Sequence, residues 1–253
     1  DWSSDVCSSD LYKYKFLYVY KMVERTCIKR LASDVKDLIK DPLNEHDIYY
    51  KHDEDDMLKG YALIVGKENT IYYSGFYLFE FNFPPNYPHS PPKVIFCTRD
   101  GETRFHPNMY KSGKVCLSVL NTWKGESWTS CQTIKSILLI LSSILENDSL
   151  LYEPGINKHH RDFEKYHQII EYKNLEVSVF QILNNKFPEK FNTFYPVMRE
   201  KFIENYENIK KIIEEKAIST VNKKISTSVY GMSFYISYKN LLTILNNIYI
   251  KLK

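Results

Sequence analysis

The chain has 253 residues, 43% of them hydrophobic, with 21 Tyr and 14 Phe, enough to bury a sizeable core as one large domain or as a domain with an extension. A formal net charge of +3 is too small to indicate a nucleic-acid binder working through bulk electrostatics. No run approaches the roughly 18 uncharged apolar residues of a membrane span, and five scattered cysteines without C-x-x-C spacing argue for a reduced compartment, cytoplasmic and/or nuclear.

Residues 1–11, DWSSDVCSSDL, do not resemble the remainder of the chain. They have no periodicity, and they lack the basic start and apolar centre of a secretory signal. One back-translation resembles a sequencing-library adapter, so residues 1–21 are expected to be an artefactual or disordered segment, with Met22 a candidate start. Trp2 and Cys7 then carry no functional weight.

From Glu24 to Asp41 the apolar residues Cys27, Leu31, Val35, Leu38 and Ile39 recur at helical spacing, and Asp41-Pro42 ends the run. Four strand-like runs come next: DIYYKHD, MLKGYALIV, YSGFYLFEFNF and KVIFC. Each is bounded by Gly, Pro or charged turns, as in an antiparallel meander. FNFPPNYPHSPPK (81–93) holds five prolines, which impose a stiff extended loop. Ser130 or Thr129 is expected to cap a helix carrying Ile134, Ile137, Leu138, Leu141, Ile144 and Leu145.

DSLLYEPG breaks that helix, and from about Lys158 the chain reads as helices with an interruption at ISTSVYGMSF. The stripe Phe163, Tyr166, Ile169 and Ile170 reads as packing surface, and the polar STVNKKISTSVYG as a mobile loop. The layout predicts an α+β fold.

Within RFHPNMYKSGKVCLSVLNTW (104–123), Cys116 raises the question of nucleophile or packing residue. Lys111 and Lys114 are placed to favour thiolate, and Asn108 can offer an amide N–H to an oxyanion. On residue chemistry alone the packing role has the stronger claim. Cys131, at a helix start, also reads as packing.

The order of motifs changes the balance. FPPNYPHSPPK, HPN, GKVCLSVL, a tryptophan and an amphipathic helix resemble the ubiquitin-conjugating enzymes (E2), in which a proline-rich loop, HPN, Cys and Trp succeed one another at this spacing. The resemblance covers residues 24–155. It implies the UBC fold, N-terminal helix, four-stranded antiparallel meander, Cys-bearing segment and C-terminal helices, in a core domain of residues 22–157. A helical C-terminal extension, 158–253, would pack on or adjoin it.

The resemblance further implies that Cys116 accepts ubiquitin or a ubiquitin-like modifier from an activating enzyme as a thioester. The modifier then passes to a substrate lysine or to a ligase, with no metal or cofactor. Asn108 is the implied oxyanion stabiliser or, equally, orders the loop beside the cysteine. His106, Pro107 and Trp128 are structural, and Asp148 or Glu153 is the acid near the attacking lysine. Lys29, Arg30 and Lys36 would meet the activating enzyme. His89, Pro91, Thr129 and Ser130 would form the ligase surface.

Departures from the common pattern lie on that same surface. If Trp128 is the usual tryptophan, Lys124-Gly125-Glu126 is a small insertion. Thr129-Ser130-Cys131 stand where Ser-Pro-Ala is frequent, and His89 where an apolar ligase contact often lies. The CLSVLNTW…W pattern, EPG and the long extension resemble a subgroup that comprises E2 Z and the conjugating domains of very large hybrid conjugating–ligating proteins. For that subgroup an alternative activating enzyme and a second ubiquitin-like modifier are implied. A non-catalytic scaffold of the same fold is the competing reading. A papain-like protease fails for want of C-G-S-C-W around the cysteine.

Overall fold

The structure, a computed structural model, describes residues 23–253, so the expectations for residues 1–21 and Met22 lie outside the described residues. Helix α1 (Arg25–Lys40) buries Cys27, Leu31, Asp34 and Leu38. Ile39, assigned to the same stripe by spacing, is instead 75% exposed. Leu38 takes the inward position, and the next residue is turned about 100° away around the helix.

Strands β1 (Ile48–His52), β2 (Lys59–Val65), β3 (Phe76–Asn82) and β4 (Lys93–Phe96) form an antiparallel meander in sequence order. After the cysteine segment come α2 (Ile134–Ser143) and α3 (Phe163–Lys173), the latter continuing as a π-helical run through Gln181. Helix α4 (Tyr195–Ser219), strands β5 (Lys223–Ser226) and β6 (Ser233–Ile236) and helix α5 (Tyr238–Leu252) complete the chain. The class is α+β with a helical C-terminal extension.

Two further local expectations fail. The cap of α2 is Thr133, not Thr129 or Ser130. Its side chain accepts from the Ser136 amide while the Ser136 hydroxyl accepts from the Thr133 amide, a reciprocal capping box. The polar stretch read as a mobile loop supplies β5 and the turn of the β5–β6 hairpin, in which Lys223 pairs with Ile236 and Ser226 with Ser233. Of β5 only Ile225 is buried, so there was little apolar alternation to read.

The sheet positions the rest. Ala62, Leu63 and Ile64 are all 0% exposed, so β2 has no solvent face. In an antiparallel sheet covered on one side only, burial would alternate. Ile48 and Tyr50, which pair with Ile64 and Ala62, face a groove shared with Val35 and Leu38 of α1 and Leu138 of α2. The opposite face meets the extension. Tyr61 packs edge-on against Phe191 with centroids 5.6 Å apart, and Glu80, its partner in register, pairs with Lys190.

Asn174, at the start of the π-helical run, donates to the Tyr73 carbonyl and accepts from the Tyr77 hydroxyl at 2.6 Å. A Cβ on Gly75 would lie 2.0 Å from the Asn174 side-chain oxygen, so glycine is required for that approach. Phe163, Tyr166, Ile169 and Ile170 are buried as the stripe predicted. One continuous hydrophobic cluster runs from Cys27 to Leu252 across the expected boundary near residue 157.

Phe191 is 0% exposed on the sheet's second face. Phe191→Ala should cost about 3–5 kcal/mol of stability by leaving a cavity against Tyr61. Urea unfolding reads this directly, and a loss below about 1 kcal/mol would mean that the extension is not seated on the sheet as described.

Candidate active site around Cys116

Cys116 lies in a segment with almost no regular structure, so its position is set by specific bonds. Its amide donates to the Asn108 carbonyl at 2.8 Å, and the Asn108 side-chain Nδ2 donates to the Cys116 carbonyl at 2.5 Å. The two residues thus bracket one another through backbone and side chain. Asn108 Oδ1 is buried without a hydrogen-bond partner among the described residues. Cys116 itself is 1% exposed.

The following turn is set by Thr122. Its hydroxyl accepts from the Leu117 amide at 2.9 Å and lies 3.1 Å from the Val115 and Leu117 carbonyls. Gly125, in the expected insertion, has a φ of +136° and lies against the Ser118 side chain. Glycine suits both that backbone angle and that approach.

His106 is fully buried, and its Nδ1 accepts from the Asn108 amide at 3.0 Å. Burial first, and then the neighbouring Arg104 guanidinium, push the imidazole down to about 3. It is therefore neutral at physiological pH and too weakly basic for a general base. The Tyr152 ring covers it at 4.9 Å between centroids. Pro107 is buried, and its carbonyl accepts from Arg104.

Trp128 is buried, and its indole Nε1 donates to the Pro88 carbonyl at 2.6 Å, tying the cysteine segment to the proline loop. The Ser130 hydroxyl reaches the same carbonyl at 3.2 Å. Exposed His89 and Thr129 and half-buried Pro91 lie on these two joined segments. Cys131 is exposed in the turn before α2, so it is not the packing residue expected. The four described cysteines are free thiols, and burial pushes Cys97 up to about 11.

Other sequence candidates disperse. Lys29 and Lys36 are exposed on α1, whereas the Arg30 guanidinium is used internally. It donates to Asp34 at 2.9 Å and to the Ser130 and Gln132 carbonyls. Lys111 donates to the Tyr230 carbonyl at 2.9 Å, and Lys114 is exposed near the Tyr110 ring, so neither lysine is spent on the Cys116 thiol. Asp148 pairs with Lys158, while Glu153 accepts from the Tyr230 hydroxyl at 2.5 Å. Two participants that sequence reasoning missed are Arg104 and Tyr230. The signal for Arg104 was a lone arginine two residues before the HPN tripeptide; Tyr230 gave none.

A helix, a four-strand meander and an asparagine-bracketed cysteine between a proline loop and a second helix define a UBC-type domain. A family model described as ubiquitin-conjugating enzyme matches residues 30–174, more than half of the chain, which belongs to that family. It is 36% identical to ubiquitin-conjugating enzyme E2 Z of Danio rerio over 195 residues, 75% of this chain and 58% of that protein. It is likewise 36% identical to the Homo sapiens E2 Z over 190 residues, 73% of this chain and 53% of that protein. With probable ubiquitin-conjugating enzyme protein 17 of Caenorhabditis elegans, identity is 38% over 140 residues, 52% of this chain and 19% of that protein. The chain thus spans little more than half the length of the E2 Z relatives.

The depressed His106 value has a defined consequence for stability. An unfolded histidine titrates near 6.5, so below that pH the unfolded chain takes up a proton that the folded chain refuses. The His106 contribution is complete above about pH 6.5 and is lost as pH falls toward 3, at up to about 1.4 kcal/mol per unit. His52 and His167 are also pushed down by burial, so the test is the difference between wild type and His106→Gln in urea melts from pH 7 to 4. The stability gap should narrow as pH falls; a gap independent of pH would exclude a buried neutral imidazole.

Proposed function

We propose that this chain carries ubiquitin or a ubiquitin-like modifier as a thioester on Cys116 and passes it to a substrate lysine or to a ligase. The observation that supports this most is the mutual bracket of Asn108 and Cys116, which holds an amide donor beside the backbone of the one framed cysteine. Family membership and the similarity to E2 Z support it independently.

In the reaction, the Cys116 thiolate attacks the modifier's C-terminal thioester carbonyl on an activating enzyme, and that enzyme's thiol leaves. A lysine amine then attacks the new thioester, the carbonyl oxygen takes up negative charge, and Cys116 departs as thiolate. The amine proton passes to solvent or to a nearby carboxylate, leaving an isopeptide bond. Asn108 Nδ2 is the donor within reach to meet the oxyanion, once it exchanges the Cys116 carbonyl for it. Glu153 is preferred to Asp148 as the nearby acid, because Tyr230 joins it to the HPN flank whereas Asp148 is paired with Lys158.

Lys29 and Lys36, exposed on α1, would face an activating enzyme; Arg30 acts by holding α1 to the turn before α2. His89, Pro91 and Thr129, joined across the Trp128–Pro88 bond, would form the ligase surface, with Ser130 as the residue that braces it. The resemblance to the E2 Z subgroup implies charging by an alternative activating enzyme and a second modifier as cargo, and the scattered cysteines support action in the cytoplasm or nucleus.

A second reading, a non-catalytic scaffold, draws on the closure of Cys116, whose thiol must be uncovered before it can react. Incubation with ubiquitin, ATP and each of two activating enzymes separates the two. A thiol-sensitive adduct on the wild type that becomes thiol-resistant in Cys116→Ser, and disappears in Cys116→Ala, is expected. An adduct untouched by Cys116→Ala would end the carrier reading.

Asn108→Ala should charge at near-normal extent but discharge to free lysine about 100-fold more slowly. Unchanged discharge in a single-turnover chase would remove the oxyanion role and leave loop ordering.

A further inference from the structure

Arg104 is buried, and its cationic head is met by carbonyl oxygens and aromatic faces. Nε donates to the His106 carbonyl at 3.2 Å and the terminal nitrogen to the Pro107 carbonyl at 2.5 Å. The guanidinium carbon lies 3.5 Å from the Tyr110 ring centroid and 4.7 Å from that of Tyr230. A desolvated guanidinium is stable only with its donors used and its charge met, here by two π faces.

Tyr110 belongs to the cysteine segment; Tyr230 comes from the far extension. It occupies the tip of the β5–β6 hairpin at φ 63°, a left-handed conformation that an aromatic residue keeps only where its surroundings impose it. They do so. Asp162 accepts from the Ser228 amide and hydroxyl and from the Val229 amide, fixing the turn. Lys111 then donates to the Tyr230 carbonyl. The tip is braced to lay one ring on Arg104 and to deliver one hydroxyl to Glu153.

We propose that Tyr230 is a positioning residue for the transfer step, acting through Arg104 on the Asn108–Cys116 bracket. Arg104 grips the carbonyls of the two residues before Asn108, and Tyr230 lays its ring over the same guanidinium. The orientation of the Asn108 amide therefore depends on a residue of the extension. This rests on the reading of Cys116 as a thioester carrier, and the test keeps the two apart.

The experiment uses the full chain and compares Tyr230→Phe, which keeps the ring, with Tyr230→Leu, which removes it. In single-turnover discharge of a preformed thioester to free lysine, Tyr230→Leu should lower the limiting rate about tenfold, with the half-saturating lysine concentration unchanged. Tyr230→Phe, which loses only the hydroxyl bond to Glu153, should lower the rate clearly less than Tyr230→Leu; an equal loss in the two variants would place the effect in that hydroxyl and overturn the role of the ring. In an Asn108→Ala background, adding Tyr230→Leu should change the rate less than twofold, because the two act on one step. A full tenfold loss in that background would mark general loosening and overturn the proposal.

A second readout needs no modifier. The Asn108 side-chain amide resonance in the uncharged protein should shift in Tyr230→Leu and hold in Tyr230→Phe. If it does not shift, the proposal falls whatever the discharge rates. If it shifts and yet no thioester ever forms, the carrier reading fails and the coupling of Tyr230 to Asn108 stands. Should Tyr230→Leu not fold, Lys111→Met, which frees the Tyr230 carbonyl, should move the same resonance from its wild-type position; no movement there is equally fatal.

Discussion

Burial of both faces of the central sheet is the constraint on which this molecule turns. Strand β2 carries Ala62, Leu63 and Ile64 side by side with none exposed, so apolar side chains leave the backbone in both directions. Water cannot cover either side without a penalty that grows with the apolar area exposed. Helices α1 and α2 line one side; residues 189–194 close the other. The C-terminal portion is therefore part of the same hydrophobic unit as the sheet. Once it is seated there, its hairpin lands beside the HPN tripeptide.

That arrangement divides labour around Cys116. The proline loop holds the segment from one side through the Pro88 carbonyl, which accepts from the Trp128 indole and the Ser130 hydroxyl. Arg104, gripped by two tyrosines, holds it from the other. Between them the bracketed pair needs no helix or strand, and the histidine beside it contributes shape and a nitrogen acceptor rather than charge. Lys124, Gly125 and Glu126, expected from the sequence as a small insertion, are all exposed.

Much of this was legible because it derives from periodicity and punctuation. The stripe of α1, the four strands and the five-proline loop are local properties, and the family resemblance rested on their order. The features that were not legible depend on partners distant in sequence. Cys131 stands at a position that reads as packing, but the turn ahead of Thr133 leaves it outside. The β5–β6 hairpin hid because its strands are short and mostly exposed, with Ile225 and Ile236 as its buried anchors. Arg30 reads as a free surface charge until the Ser130 and Gln132 carbonyls fold back against it. Tyr230 had no signature at all, since its role is made by Arg104 and Glu153, from a different part of the chain.

The Asn108 amide has one more implication. A carbonyl oxygen can only accept, so the atom that Asn108 turns toward Cys116 must be a donor, and the amide has one face that gives protons and one that does not. Aspartate would match it in size and shape yet set a second acceptor against the Cys116 carbonyl. The discrimination at this position is therefore one of polarity rather than volume, and two nearly isosteric side chains are chemical opposites there.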